Sequence, residues 1–420
     1  MFRFMMQLFA VAFVATVFAG HSRLLAQGEP LLKDLAPGLA VDSSTMVPAA
    51  QLPAISNKLG GQIQRLSNSM LRVHGAAIQV NVIAATDEVQ AAQIFSSLKK
   101  IKSEPFIVQK GSTVVEYVGQ NIDENLAQKT TYELGLKSKP KAVTYLIVAE
   151  LATVEKADYM NCNVLFNHFL TLQKGNDPAT DRKIRELSRG FVFGRTLALR
   201  NPALDGSNAK HEFAPKAVDT KVQTPVVQYS FRDPVLKSGV PFVTATLEIP
   251  VDGTGRRDAP NDPAALGANA FWPSDDPEIQ KLAQQITKGK TTNQEKADAI
   301  LLWLAPGRNL KYSGQTGSRW GTRQVLQQKF GHCWDFSDCF VTLARAAGVP
   351  SRQVAGWLFG SSGHVWAEYY QDGHGWQQVD PTGGGQVGCG IYHIPYFTAN
   401  DGEMLILYGG MPKIEIRSAN

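Results

Sequence analysis

The chain has 420 residues, enough to bury a sizeable core and more naturally divided into two domains than built as one. Its 42 Lys and Arg against 37 Asp and Glu leave a net charge of +5 spread along the sequence, too small and too diffuse for a nucleic-acid surface. Hydrophobic residues make up 44%, a share that suits a folded soluble protein rather than a disordered or membrane-embedded one.

Arg3 precedes an apolar run over residues 4–18, broken only by Gln7 and Thr16 and closed by Val17-Phe18-Ala19. This reads as a secretory signal over residues 1–19, or to 26, since polar sequence follows too soon for a good span. The expected location is therefore the periplasm or the extracellular space. A retained anchor is the alternative; no Cys follows the run, which argues against a lipoprotein. No later segment approaches the ~20 apolar residues of a span, so no membrane contact is expected beyond the signal.

Residues 27–58 form a weakly patterned leader. Ile78, Val80 and Val82 alternate with Gln79 and Asn81 and predict a strand. Thr86 or Asp87 caps a helix with Ala91, Ile94, Phe95 and Leu98 on one face. Residues 108–118 predict one or two strands around Lys110-Gly111, and the apolar run 143–149 a buried strand. Together these predict an α+β domain over 60–200 without recognisable chemistry. Residues 201–270 read as a linker and a β segment, with a half-buried strand carrying Val243, Ala245, Leu247 and Ile249.

The pattern then turns helical. Ile279, Leu282, Ala283 and Ile286 follow Pro277, and Gly289 ends that helix. Ala297, Ile300, Leu301 and Leu304 mark a second, starting at Thr292 or Asn293. A third runs from near Cys333 to Ala347, stopped by Gly348 and Pro350. The catalytic domain is expected over 271–400, with a tail over 401–420.

Only four cysteines occur, at 162, 333, 339 and 389. They form no CxxC pair, and no His cluster has zinc-finger spacing, so neither metal nor cofactor is expected. Cys333 opens the third helix, where backbone N–H groups are unpaired and the helix dipole favours an anion. Gly331 would let a substrate chain approach closely. Cys339, rotated about 240° from Cys333, belongs with Phe336, Phe340 and Leu343 on the packed face. His332 should point away from Cys333.

Residues 364–370 and 376–380 predict two strands joined by a short loop. Pairing Tyr370 with Trp376 sets Asp380 opposite Trp366 and diagonal to His364, so the imidazole and the carboxylate share one face. Cys333, His364 and Asp380 then fit the roles of nucleophile, base and orienting carboxylate. Taken singly, each has a plain structural explanation; the conjunction carries the reading.

Gly331-x-Cys333, Leu343-Ala344-Arg345-Ala346-Ala347-Gly348-Val349-Pro350-Ser351-Arg352, Gly356-Trp357, His364-x-Trp366-x-Glu368 and Gly375-Trp376 through Asp380-Pro381-Thr382 resemble the transglutaminase-like superfamily. Trp303-Leu304 and Lys311-Tyr312 resemble that family's approach to its nucleophile. The resemblance covers residues 271–382. It implies a papain-like core, with the nucleophile helix packed on an antiparallel sheet, so that the whole chain is expected to be α+β, this core following the separate α+β domain read above. It assigns Cys333, His364 and Asp380 to the catalytic positions, and Arg345, Arg352, Glu368 and Trp376 to structural ones. Gly383-Gly384-Gly385, Cys389 and His393 match nothing in the family pattern, and Trp334 departs from it. The Cys333 N–H is one oxyanion donor, with the second sought at Gln315, Trp320 or elsewhere.

The implied activity is acyl transfer from a protein or peptide amide, with hydrolysis preferred and amine transfer (cross-linking) the alternative. A binding module of the cell envelope that has lost catalysis is the reading from another class.

Overall fold

The computed structural model describes residues 32, 41–73, 76–119, 122–153, 195–200, 212–217, 227–232, 243–253, 261, 263–314, 319–361, 363–383, 389–399, 401–402, 406–408 and 411–419. The signal segment, Cys162, Gln315, Gly384-Gly385 and most of the expected linker lie outside these residues. The described residues fall into two compact units, one within Met1–Ile122 and Leu134–Leu136, the other within Asp123–Glu133 and Lys137–Asn420.

The first unit contains β1 (Val41–Met46), α1 (Leu52–Leu59), β2 (Ile63–Val73), β3 (Ala76–Ala85), α2 (Glu88–Lys99), β4 (Ile107–Lys110) and β5 (Thr113–Val118). The strands form one antiparallel sheet in the order β1-β2-β3-β5-β4. Asp87 caps α2 by accepting from the Gln90 N–H at 2.8 Å. The helix then lays Ala91, Ile94 and Leu98 against Leu66, Ile83 and Val114. Gly111 takes φ 55°, and the 108–118 stretch divides there into the β4–β5 hairpin.

The second unit runs α3 (Glu124–Glu133), β6 (Val143–Thr153), β7 (Arg195–Arg200), β8 (Glu212–Ala217), β9 (Val227–Arg232), β10 (Val243–Val251), α4 (Pro277–Ile286), α5 (Asn293–Leu304), β11 (Lys311–Tyr312), α6 (Thr322–Gln328), β12 (Phe330–Gly331), α7 (Cys333–Ala346), β13 (Ser351–Leu358), β14 (Gly363–Gln371), β15 (Gly375–Val379), β16 (His393–Ala399), β17 (Ile406–Tyr408) and β18 (Lys413–Ala419). One sheet has the order β17-β6-β10-β7, with β18 also on β6; β8 pairs with β9. The other is antiparallel, in the order β15-β14-β13-β16. On one face of it, Ala367, Tyr369 and Val379 pack with Phe336, Phe340 and Leu343 of α7. On the same face Ala355 and Trp357 pack with Tyr145, Ile147 and Leu247 of the β6–β10 sheet. Strand alternation leaves His364, Trp366 and Glu368 on the other face. The mixed architecture with a helix on an antiparallel sheet is the expected one.

The grouping of the strands differs from the expected boundary at 200. β6, read as part of the first domain, pairs along its length with β10 and β18. The expected tail beyond 400 supplies β17 and β18 to the same strand. An unbroken apolar strand needs cover on both faces and partners on both edges. Here the partners come from far along the chain, where no local pattern points to them.

Candidate active site

The start of α7 is fixed by Asp335, whose carboxylate accepts the His332 N–H at 3.0 Å and the Trp320 N–H at 2.7 Å. Burial pushes this carboxyl up to about 7, against the pull of those two amides. The cap seats Cys333 at the first helical position, 8% exposed. Gly331 leaves room for the cap: a Cβ there would stand 2.6 Å from Asp335 Cβ. His332 does turn away, its Nε2 2.8 Å from the Gly314 carbonyl oxygen.

The hairpin has the expected register, Tyr370 opposite Trp376 and Ala367 opposite Val379. It brings His364 Nε2 to 2.9 Å from Asp380 Oδ2. Cys333 is also near enough to the His364 ring to help raise it. With Nε2 on the carboxylate, Nδ1 is the nitrogen left for the sulfur. The three residues chosen from sequence therefore meet.

Asp380 is more heavily bonded than expected. Its Oδ1 accepts from the Thr382 N–H at 2.9 Å and the Thr382 hydroxyl at 2.7 Å. Its Oδ2 takes a second imidazole, His393 Nε2, at 3.0 Å. Burial alone would push this carboxyl up; His364 and His393 outweigh it and hold Asp380 well below the ordinary range. Burial likewise depresses His364, but the Asp380 charge and hydrogen bond, with Cys333, raise it to about 10.

Tyr312 was noted in the sequence only for its place before the nucleophile. β11 runs parallel to β12 with Tyr312 opposite Gly331, which brings the phenol beside α7. Cys333 is close enough for its side chain and backbone to bear on the titration of the Tyr312 hydroxyl. Tyr312 is 41% exposed, but partial desolvation first, then Cys333 and Asp380, push its phenol up, so it stays an O–H donor. The Trp320 backbone N–H is committed to Asp335, whereas its indole Nε1 is buried with no hydrogen-bond partner among the described residues and remains a candidate second oxyanion donor.

The flanking residues brace the site. Arg352 Nε donates to Glu368 Oε1 at 2.6 Å, and its guanidinium lies 3.8 Å over the Trp376 ring. Arg345 binds the Ser351 and Gly267 carbonyls and stacks on Trp272. Arg319 grips Asp338 with two hydrogen bonds of 2.6 and 2.5 Å, inside a network with Trp272 and Gln353. Cys339 and Cys389 are buried free thiols pushed well up by burial, in keeping with a core role for Cys339.

Among the described residues, the donor atoms of His364, Asp380 and His393 lie within 4.8 Å of one another and could hold a cation. The fit is poor. His393 Nδ1 has no partner to orient a metal-bound ring, and His364 is engaged with Cys333.

Residues 280–381 match the model of the Transglutaminase-like superfamily. A protein-glutamine gamma-glutamyltransferase of Pseudomonas aeruginosa is 32% identical over 71 residues, 14% of this chain and 11% of the relative. The uncharacterized protein YebA of Bacillus subtilis is 31% identical over 77 residues, 14% and 10% of the two chains. The chain thus matches about a tenth of the length of these curated relatives. Among solved structures, a provisionally assigned cysteine protease from Cytophaga hutchinsonii aligns over 66% of this chain and 89% of its own, at 17% identity and a TM-score of 0.38. No helix among the described residues is long and apolar enough to cross a membrane.

Proposed function

With residues 280–381 as a transglutaminase-like domain, we propose that this protein is an exported cysteine enzyme that cleaves peptide or side-chain amide bonds. The observation that carries the reading is His364 hydrogen-bonded to Asp380 and electrostatically linked to Cys333, the first residue of a helix. The apolar stretch behind Arg3 supports export.

In the proposed cycle His364 already holds the Cys333 proton as an imidazolium, and the thiolate attacks the amide carbonyl carbon. The oxygen would gain charge beside the Cys333 N–H, with the Tyr312 O–H and the buried, unpartnered Trp320 indole N–H as candidates for the second donor. As the tetrahedral adduct collapses, the C–N bond breaks and His364 gives its proton to the departing amine. Water, deprotonated by His364, then attacks the thioester and frees the acid and the thiol. Asp380 supports the imidazolium throughout and fixes the ring.

Amine transfer is the second reading, favoured by the name of the Pseudomonas relative. There a primary amine replaces water in the second half. A purified protein given a glutamine-containing peptide, with and without an amine acceptor, separates the two. Ammonia or peptide release that is indifferent to the amine supports hydrolysis; incorporation of the amine overturns it. Neither reaction, with Cys333→Ala indistinguishable from wild type, removes both.

A further inference from the structure

We propose that His393 is a fourth member of this site, a positioning residue that holds Asp380 aimed at His364 while the imidazole carries its proton. The inference rests on the reading of Cys333, His364 and Asp380 above. No sequence pattern marked His393. It is brought in by β16, which pairs with β13 so that His393 stands opposite Leu358, while His364 and Asp380 come from the β14 and β15 side.

His393 Nε2 lies 3.0 Å from Asp380 Oδ2, the same oxygen that His364 Nε2 reaches at 2.9 Å. The two rings are 6.2 Å apart, and the His393 ring stands edge-on to Trp366 at 5.2 Å. The Trp366 indole is itself pinned by its N–H to Gln378 Oε1 at 2.9 Å. Among the described residues, His393 Nδ1 is buried and has no hydrogen-bond partner. A proton on Nδ1 would be buried with nothing to accept it, so the ring's proton belongs on Nε2, as a donor to Asp380.

Asp380 thereby receives donors on every side: Thr382 twice on Oδ1, and two imidazoles on Oδ2. A carboxylate held in this way cannot turn its oxygen from His364. Without His393, Oδ2 loses one of its two partners and the carboxylate gains a direction in which to rotate. The ring does not touch the reacting atoms; its effect passes through Asp380.

The test compares wild type, His393→Ala and His393→Gln, the last keeping an N–H donor. On any amide substrate turned over by wild type and not by Cys333→Ala, His393→Ala should lower kcat about 10–100-fold, the worth of one charge-assisted hydrogen bond, with KM changed little. His393→Gln should recover most of the loss. Independently of turnover, imidazole 15N shifts should show His364 losing its proton at lower pH in His393→Ala than in wild type, and His393→Gln restoring it. An unshifted His364 titration overturns the inference, whether or not the protein proves to be an amidase. So does a Gln variant no better than Ala, or wild-type turnover that needs zinc and stops with EDTA. Absence of Cys333-dependent turnover, with a shifted His364 titration, removes the proposed function and leaves the His393–Asp380 linkage standing.

Discussion

Asp380→Asn keeps the side chain's shape and one acceptor for the His364 N–H while removing the charge. Burial works against a charged His364; the Asp380 carboxylate is the main influence that lifts the ring from 6.5 to about 10. That interval corresponds to about 5 kcal/mol of preference for the imidazolium, at 1.36 kcal/mol per pH unit. Without the carboxylate, His364 should titrate at or below its ordinary value. At pH 8 a ring titrating near 10 is ~99% protonated and one at 6.5 about 3%, so kcat/KM at pH 8 should fall at least about 30-fold through protonation alone. The alkaline limb of the profile should move from near 10 to about 6.5 or lower. Stability follows the same groups. The His364 contribution is complete below 6.5 and lost as pH rises through about 10. The Asp380 contribution is present above the unfolded carboxylate value and lost as pH falls. The Asn variant should therefore melt earliest, relative to wild type, between about pH 4 and pH 6.5. Assays of amide hydrolysis from pH 5 to 11, with thermal melts across the same range, measure both. Coincident alkaline limbs in the two proteins would refute the electrostatic argument.

Gly356→Ala would place a Cβ 2.1 Å from the Ile394 carbonyl oxygen and 2.3 Å from a Trp366 ring carbon, so urea denaturation should show a loss of about 3 kcal/mol or more; an unchanged midpoint contradicts this. Arg319→Met leaves Asp338 buried without its counter-charge and should cost about 3–5 kcal/mol, part of it recovered in the double variant with Asp338→Asn. No recovery would show that the charge is not the cause. Lys129 is buried with no hydrogen-bond partner at Nζ, and burial chiefly lowers it to about 7. Its folded value lies below its unfolded one, so its penalty is complete below about pH 7 and fades towards 10.5. Lys129→Met should raise Tm at pH 7 by more than at pH 10; the reverse order would contradict the desolvation argument.

The register of the β14–β15 hairpin was readable because its information is local: alternation along two short strands and a turn between them. The apolar face of α7 was readable for the same reason, from Phe336, Cys339, Phe340 and Leu343. The burial of that helix all round was not. Asp335, Ser337, Asp338 and Thr342 are each fully buried, and their partners Trp320, Trp366, Arg319 and Thr322 come from outside the helix. A polar residue in a helix looks solvent-facing until its partner is known. His393 and Tyr312 were given no role for the same reason, one being carried in by β16 and the other by the short parallel pairing of β11 with β12. β6 was recognised as a buried strand, but which domain it belongs to depends on partners about a hundred and more residues away.

The most direct measurement is the rate of iodoacetamide modification at each cysteine at pH 6, read by peptide mapping of wild type and His364→Ala. Cys333 should react far faster than the buried Cys339 and Cys389, and replacing His364 should remove that advantage. A Cys333 that reacts no faster than Cys389, which is just as buried, or equally fast without His364, would contradict the account.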